Sequence, residues 1–307
     1  MGYIYDKAYF DDGIKSIDEA KLSVASSAVL YGLSVYTVFP VHIAKDGSKL
    51  AFRLHDHYQR LVNSAHIIGI DTFKPEWSEK RFLQVATDVI KTNQITDNVF
   101  VRATVHVDEL IPGPRSRGLK TILSIFVYKS GPILPNDGAR LKTSVWRRVP
   151  DDAIPPRAKV NGAYVNSVLA KQDAIDSGYD DCIILDSDGH VCELSAANIF
   201  IVRGGKLITP GVTSDLLEGI SRNTIIQIAD QMGLEVVERS IGLTELYIAD
   251  EVFACGTSAY ISSVIEVDAR KIGDGKVGKI TADIRDRYTD VLYGKNKAFA
   301  EFLTVIN

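Results

Sequence analysis

Residues 158–202 read AKVNGAYVNSVLAKQDAIDSGYDDCIILDSDGHVCELSAANIFIV. From Gly162 to Ser177 the apolar residues recur at helical spacing, and Gly178 supplies the stop. CIILD, the Asp188-Gly189 turn and VCELSAANIFIV then read as a β-hairpin. Lys159 stands just before the helix and Tyr164 near its start. Glu193 lies in the returning strand and is followed by Ser195-Ala196-Ala197 and Asn198. Small residues beside a carboxylate leave room for a flat ligand. Taken singly, Lys159 is an ordinary surface lysine and Glu193 an outward strand residue. Their company makes them candidates.

On the N-terminal side, Tyr3 to Asp12 reads as a strand that turns at Asp12-Gly13 and returns. Ser26 to Val41 is rich in Tyr and Val and contains Gly32, which fits a helix passing into a strand, though periodicity does not settle it. The Asp46-Gly47 turn leads to a strand at Leu50–Phe52. His55–Ile68 and Glu79–Thr92 have amphipathic helical spacing, and Asn98–Val107 and Lys120–Val127 read as strands. KSGPILPNDG, residues 129–138, holds two prolines and two glycines between strand-rich halves. It marks an expected junction between a domain over 1–128 and another over 139–307.

On the C-terminal side, Gly204-Gly205 turns into KLITP, and Ser221–Met232 is an amphipathic helix ended by Gly233. EVVERSI, EVFACGT and SSVIEVD are strand candidates, and Thr281–Leu292 is a final helix. Helices and strands mix without regular βαβ alternation, which points to α+β.

The 307 residues are 46% hydrophobic and 24% charged, enough for a sizeable core. With a net charge of −4 and scattered basic residues, nothing suggests a nucleic-acid or membrane-surface partner. Cys182, Cys192 and Cys255 form no CxxC pair, so they are expected as core thiols in a reducing compartment, without a metal site. MGYIYDKAYF lacks a basic start followed by an apolar run, and no apolar stretch is long enough for a membrane span. The expected location is the cytoplasm.

Two further stretches look like anion cradles. In Leu217-Glu218-Gly219-Ile220-Ser221-Arg222-Asn223, Ser221 is the expected helix N-cap, where a phosphate is favoured; plain capping is the bland alternative. Gly256-Thr257-Ser258-Ala259 follows an apolar strand and offers N–H and O–H donors, or is a simple turn. Two motifs are decoys. Residues 273–278 fit G-x-G-x-x-G but lack a βαβ unit. His55 and His57 face differently on a helix, so a surface role is expected rather than a metal pair.

These stretches together, with FRLHDHYQRL upstream and LYIADEVFACGTSAYISSV downstream, resemble fold-type IV pyridoxal-phosphate transaminases, above all branched-chain amino acid aminotransferases. The resemblance runs from about Ala28 to the C-terminus. It implies a smaller N-terminal α/β domain and a larger C-terminal pseudo-barrel domain, with pyridoxal 5'-phosphate as cofactor. It implies that Lys159 binds the cofactor covalently and shuttles the proton. Tyr164 matches the residue that bonds the phenolic oxygen, and Glu193 the partner of the pyridine nitrogen. Asn198 lies behind Glu193, and Leu217 packs on the ring. Arg60, Ile220, Ser221 and Thr257 match phosphate-binding positions.

The expected substrate-side residues are Tyr31, Tyr36, Arg102, Thr257 and Ser258. The resemblance also implies a homodimer, with Tyr31 and the loop around Leu110 reaching the neighbouring subunit's site. Its substrates would be a small amino donor and a 2-oxo acid acceptor. The chain departs from the pattern after Tyr31-Gly32. A Phe-Glu-Gly segment is usual there, but the stretch Ser34-Val35-Tyr36-Thr37-Val38-Phe39-Pro40 lacks its glutamate and glycine; Phe100 stands where a tyrosine is usual. The expectation is transfer from branched-chain or other hydrophobic L-amino acids to 2-oxoglutarate. The alternatives are a type IV transaminase for D-amino acids or (R)-primary amines, an aminodeoxychorismate lyase, and a non-catalytic binding protein of the same fold.

Overall fold

The computed structural model describes residues 2–110, 113–135 and 137–306. The chain forms two compact units of nearly equal length: Met1–Gly131 with Ala158–Ala163 and Val291–Asn307, and Pro132–Arg157 with Tyr164–Asp290. The first crossing falls within the Pro/Gly-rich stretch 129–138. The Lys159 segment and the C-terminal tail cluster with the N-terminal strands because they hydrogen-bond to them, a pairing that local composition does not reveal.

Unit one holds β1 (Tyr3–Phe10), β2 (Gly13–Ser16), β3 (Ser34–Ile43), β4 (Lys49–Phe52), β5 (Val99–Val107) and β6 (Thr121–Lys129). With the C-terminal strand Leu303–Ile306 they form a seven-stranded sheet, in the order C-terminal strand, β4, β3, β5, β6, β1, β2. Its pairings among the described residues are antiparallel. The helices Leu54–Ile67 and Glu79–Thr92 pack on it. The second starts at Ser78, whose hydroxyl accepts from Arg81 N at 3.3 Å, and buries Phe82, Ala86, Val89 and Ile90. Those residues join Val35, Phe39, Val41, Leu54 and Leu61 in one core. The ambiguous stretch from Ser26 is a one-turn helix, Ser27–Leu30, that passes through Gly32 at φ +64° into β3.

Unit two holds β7 (Ala139–Arg147), β8 (Asp181–Leu185), β9 (Val191–Leu194), β10 (Asn198–Arg203), β11 (Lys206–Thr209), β12 (Val236–Glu238), β13 (Glu251–Gly256), β14 (Tyr260–Val267) and β15 (Arg270–Lys271). The sheet order is β12-β11-β10-β13-β14-β7-β8-β9, with β15 on β14. VCELSAANIFIV is therefore not one hairpin arm. It breaks at Ser195–Ala197; β9 pairs with β8, and β10 with β11 and β13.

That break requires curvature. β9 ends the sheet and β10 lies five strands away, which on a flat sheet is roughly 24 Å. The link from Leu194 to Asn198 spans at most about 14 Å. The sheet must curl, in keeping with the expected pseudo-barrel. The helix Tyr164–Asp176 packs on β7 and β8, and Ile220–Gln231 on β12 and β13. All three cysteines are buried and reduced. Among the described residues no helix is long and apolar enough to cross a membrane.

Besides His57, which belongs to the site described below, two histidines of unit one are held below the ordinary histidine value. Burial pushes His42 down to about 4; burial and the Arg102 charge push His106 down to about 4. Both stay neutral in the folded chain. A depressed folded value means stability that is full above the ordinary value and lost as pH falls. At pH 5 each opposes folding by about 2 kcal/mol relative to pH 7. Urea unfolding should show this fall between pH 7 and 5, and His42→Leu should remove part of it. A flat profile in the parent chain would refute the assignment.

Candidate functional site

In unit one, Ala158–Ala163 lies antiparallel to β3. Tyr36 N donates to the Lys159 carbonyl at 3.0 Å, Asn161 N to Ser34 O at 2.9 Å, and Gly162 N to Gly32 O at 3.3 Å. From the helix side, Ser64 Oγ accepts from Lys159 N at 3.0 Å and donates to the Arg60 carbonyl at 2.7 Å. The backbone of Lys159 is thus fixed by a strand and a helix. Gly32 makes this approach possible: a Cβ there would fall 2.8 Å from Gly162 Cα, and φ is +64°.

Lys159 Nζ stands 5.0 Å from the centroid of the buried Tyr36 ring, and Arg102 Cζ 3.7 Å from the same ring. Arg102 donates to Asn161 Oδ1 at 2.5 Å, and Asn161 Nδ2 to Ser34 Oγ at 2.7 Å. The structure thus gathers Lys159, Tyr36 and Arg102. Tyr31, by contrast, is exposed. The loop around Leu110 runs on into Ile111 and Pro112, outside the described residues.

Arg60, on the helix Leu54–Ile67, donates to Thr37 Oγ1 at 3.3 Å. The Thr37 hydroxyl is paired with His57 Nδ1 at 2.8 Å. His57 is not the surface residue expected. It is 1% exposed, because its side of the helix faces β3, whereas His55 is exposed against the Glu79 carboxylate. Burial, then the charges of Arg60, Arg53 and Lys159, hold His57 well below its ordinary value. Its Nε2 is buried with no hydrogen-bond partner among the described residues. No cluster of three metal-ligating side chains occurs among them either.

In unit two, Glu193 is 5% exposed, not an outward strand residue. Its Oε1 is 2.9 Å from Arg148 Nη2. Its Oε2 accepts from Asn198 Nδ2 at 3.0 Å and from Leu217 N at 3.4 Å. Asn198 Nδ2 also donates to Leu217 O at 2.9 Å, which ties the carboxylate to the stretch before the next helix. Ser195, at the break in the strand, donates to the fully buried Asp181, whose partner is Lys171.

The helix Ile220–Gln231 begins one residue earlier than expected. Gly219 is its N-cap and provides no side-chain cap; the hydroxyl of Ser221 instead meets that of Tyr288 at 2.9 Å. A Cβ on Gly219 would fall 2.0 Å from Asn198 Oδ1, so the amide that holds Glu193 requires glycine there. Thr257 and Ser258 lie in the turn after β13, and Tyr164 opens its helix half-buried. The G-x-G-x-x-G stretch also precedes a helix, but Glu251 already occupies that N-terminus. Its carboxylate accepts from Ile280 N at 3.0 Å and Thr281 N at 2.7 Å, which leaves no anion site.

Arg148 escapes sequence inspection because it lies in a polar stretch, RRVPDD, that looks solvated. The signal available is indirect: a buried carboxylate needs a cation. Chemically, unit one presents a primary amine, an aromatic face and two guanidinium groups. Unit two presents a buried anionic acceptor and a helix N-terminus uncapped by its own N-cap. Asn198→Ala should lower urea stability by about 1–3 kcal/mol, because Glu193 and Leu217 O lose a buried donor. A change below about 0.5 kcal/mol would refute the clasp.

Residues 34–267 match a family described as Amino-transferase class IV. The chain is 36% identical over 304 residues to the probable branched-chain-amino-acid aminotransferase of Aquifex aeolicus, covering 98% of this chain and 97% of that one. It superposes with TM-score 0.94 and 34% identity on the branched-chain aminotransferase of Thermoproteus uzoniensis crystallised with norvaline, covering 99% of this chain and 100% of that one. It superposes with TM-score 0.92 and 30% identity on the PLP form (holo form) of the branched-chain amino acid aminotransferase of Thermobaculum terrenum, covering 99% of each chain.

Proposed function

The chain belongs to the class IV aminotransferases and is a pyridoxal-phosphate-dependent transaminase, and from that premise we propose that it passes amino groups from branched-chain or other hydrophobic L-amino acids to 2-oxoglutarate. The observation that carries the assignment of its working residue is Lys159, a lysine whose backbone is fixed from both sides beside Tyr36.

The residues suit the cofactor. It bears an aldehyde, a basic ring nitrogen and a phosphate. Lys159 supplies the amine, Glu193 an acceptor for a protonated nitrogen, and Arg60 with the Gly219-capped helix N-terminus donors for a phosphate. The orphaned Nε2 of His57, one turn from Arg60 on the same helix, is a buried polar atom without a hydrogen-bond partner among the described residues. When bound, the cofactor supplies an electron sink that weakens the substrate's Cα–H bond.

The chain's own residues do the rest. Lys159 Nζ, as general base and then acid, would take the proton from the substrate Cα and deliver it to the cofactor carbon that carries the aldehyde, so that the proton moves between two carbons. Glu193 keeps the ring nitrogen protonated, with Asn198 behind it, and Tyr164 donates to the phenolic oxygen. Leu217 covers the ring. Arg60, Ile220, Ser221 and Thr257 hold the phosphate. Tyr36 and Arg102, with Thr257 and Ser258, face the substrate; Arg102 is held by Asn161 and suits a carboxylate. Tyr31 serves the partner's site. A homodimer is supported by apolar residues left exposed on one helix and the adjoining strand: Val165, Val168 and Leu169 with Val145 and Trp146. Three reduced cysteines suit the cytoplasm.

Borohydride reduction followed by peptide mass spectrometry should place the adduct on Lys159. Lys159→Ala should lose activity by about a thousandfold or more. L-leucine should react faster than D-alanine or (R)-1-phenylethylamine by about tenfold or more. An adduct elsewhere, or preference for the (R)-amine, would overturn the assignment; pyruvate released without an acceptor would indicate a lyase.

A further inference from the structure

Arg148 has no task in the reaction as described above, yet it forms an ion pair with Glu193. It directly follows β7, and its side chain is only 12% exposed. Its backbone N donates to the Leu185 carbonyl at 2.8 Å, which fixes where the side chain starts. Its Nε donates to the Asp215 carbonyl at 3.2 Å, and its Nη2 lies 2.9 Å from Glu193 Oε1. Asp215 has φ +51° and belongs to the stretch leading to Leu217, whose N–H points at the other oxygen of Glu193. One guanidinium therefore grips both the carboxylate and the chain that supplies another of its donors.

The physical need is clear. A carboxylate this buried, without a partner, is driven to its neutral form. A neutral carboxyl donates a hydrogen bond and cannot hold a proton on a ring nitrogen. The other ionisable groups around Glu193 do not meet the need. Burial pushes the Cys192 and Cys255 thiols up, Cys255 to about 12. Arg222 is engaged with Glu238 at 2.7 Å and Pro210 O at 2.9 Å. The Asp215 carboxylate accepts from Asp151 N at 3.1 Å.

We propose that Arg148 is a positioning residue of the transamination site, which keeps Glu193 ionised and fixed so that it meets the cofactor ring as an acceptor. The proposal rests on the cofactor assignment above. Planarity matters to it: Arg148 uses two donors on two different partners, which a lysine ammonium reproduces only in part.

Arg148→Met, Arg148→Lys and Arg148→Met/Glu193→Gln test it in two arms. The first arm is urea unfolding of the apoprotein from pH 5 to 8. Without Arg148, the folded carboxyl titrates above its unfolded value, so its stability contribution is present at low pH and lost as pH rises. Arg148→Met should thus lose stability toward pH 8 relative to the parent, and the double variant should not. The second arm follows the absorption band of the bound cofactor. Its pH midpoint should move by about one unit or more in Arg148→Met. The same variant should lose kcat by about tenfold with KM within about threefold, and Arg148→Lys should recover part of both.

A parental pH slope in apo Arg148→Met, together with an unmoved band, would overturn the proposal. If Arg148→Met does not fold, folding of the double variant supports the assignment, and failure of both overturns it. Should the parent bind no cofactor, the cofactor assignment falls, while the apoprotein arm still decides whether Arg148 holds the charge.

Discussion

A carboxylate that is 5% exposed must be met by donors, and much of unit two is arranged to meet Glu193. Arg148, the Asn198 amide and the Leu217 N–H come from three separate stretches of chain. Each brings a constraint of its own. Asn198 leaves no room for a Cβ on Gly219, and that glycine begins the helix Ile220–Gln231 without a side-chain cap. The charge partner and the helix N-terminus are therefore coupled through one amide. The break at Ser195–Ala197 serves the same end, since it places Glu193 at the end of one sheet edge and Asn198 at the start of another strand.

Unit one solves a different problem, the placement of one lysine. Here the device is backbone pairing. A short segment far along the chain lies against β3 and the helix Leu54–Ile67, with Ser64 bridging lysine and helix. Such hydrogen bonds fix a backbone more tightly than side-chain packing alone, and a defined Nζ position suits a group that must reach one proton. Buried His57 and half-buried His106 belong to the same unit. Desolvation and nearby guanidinium charge hold both below the ordinary histidine value, so neither adds a positive charge beside Arg60 and Arg102.

Local sequence determined a good deal. Glycine-stopped amphipathic helices, Asp-Gly and Gly-Gly turns and apolar strands were legible because their causes act within a few residues. Glu79–Thr92 appears with the limits its periodicity gives. The matching stretches taken together carried the family, and with it the roles expected of Lys159, Glu193 and Asn198. Tertiary structure alone decided which side chains meet. It split VCELSAANIFIV between two strands, sent His57 into the core, freed Ser221 from capping and brought Arg148 from a polar stretch onto Glu193. It also joined the Lys159 segment and the C-terminal strand to the first unit. The physical reason is common to all of these. Propensity and periodicity report what a stretch does with its neighbours in sequence, whereas desolvation of a charge is settled only when distant residues close around it.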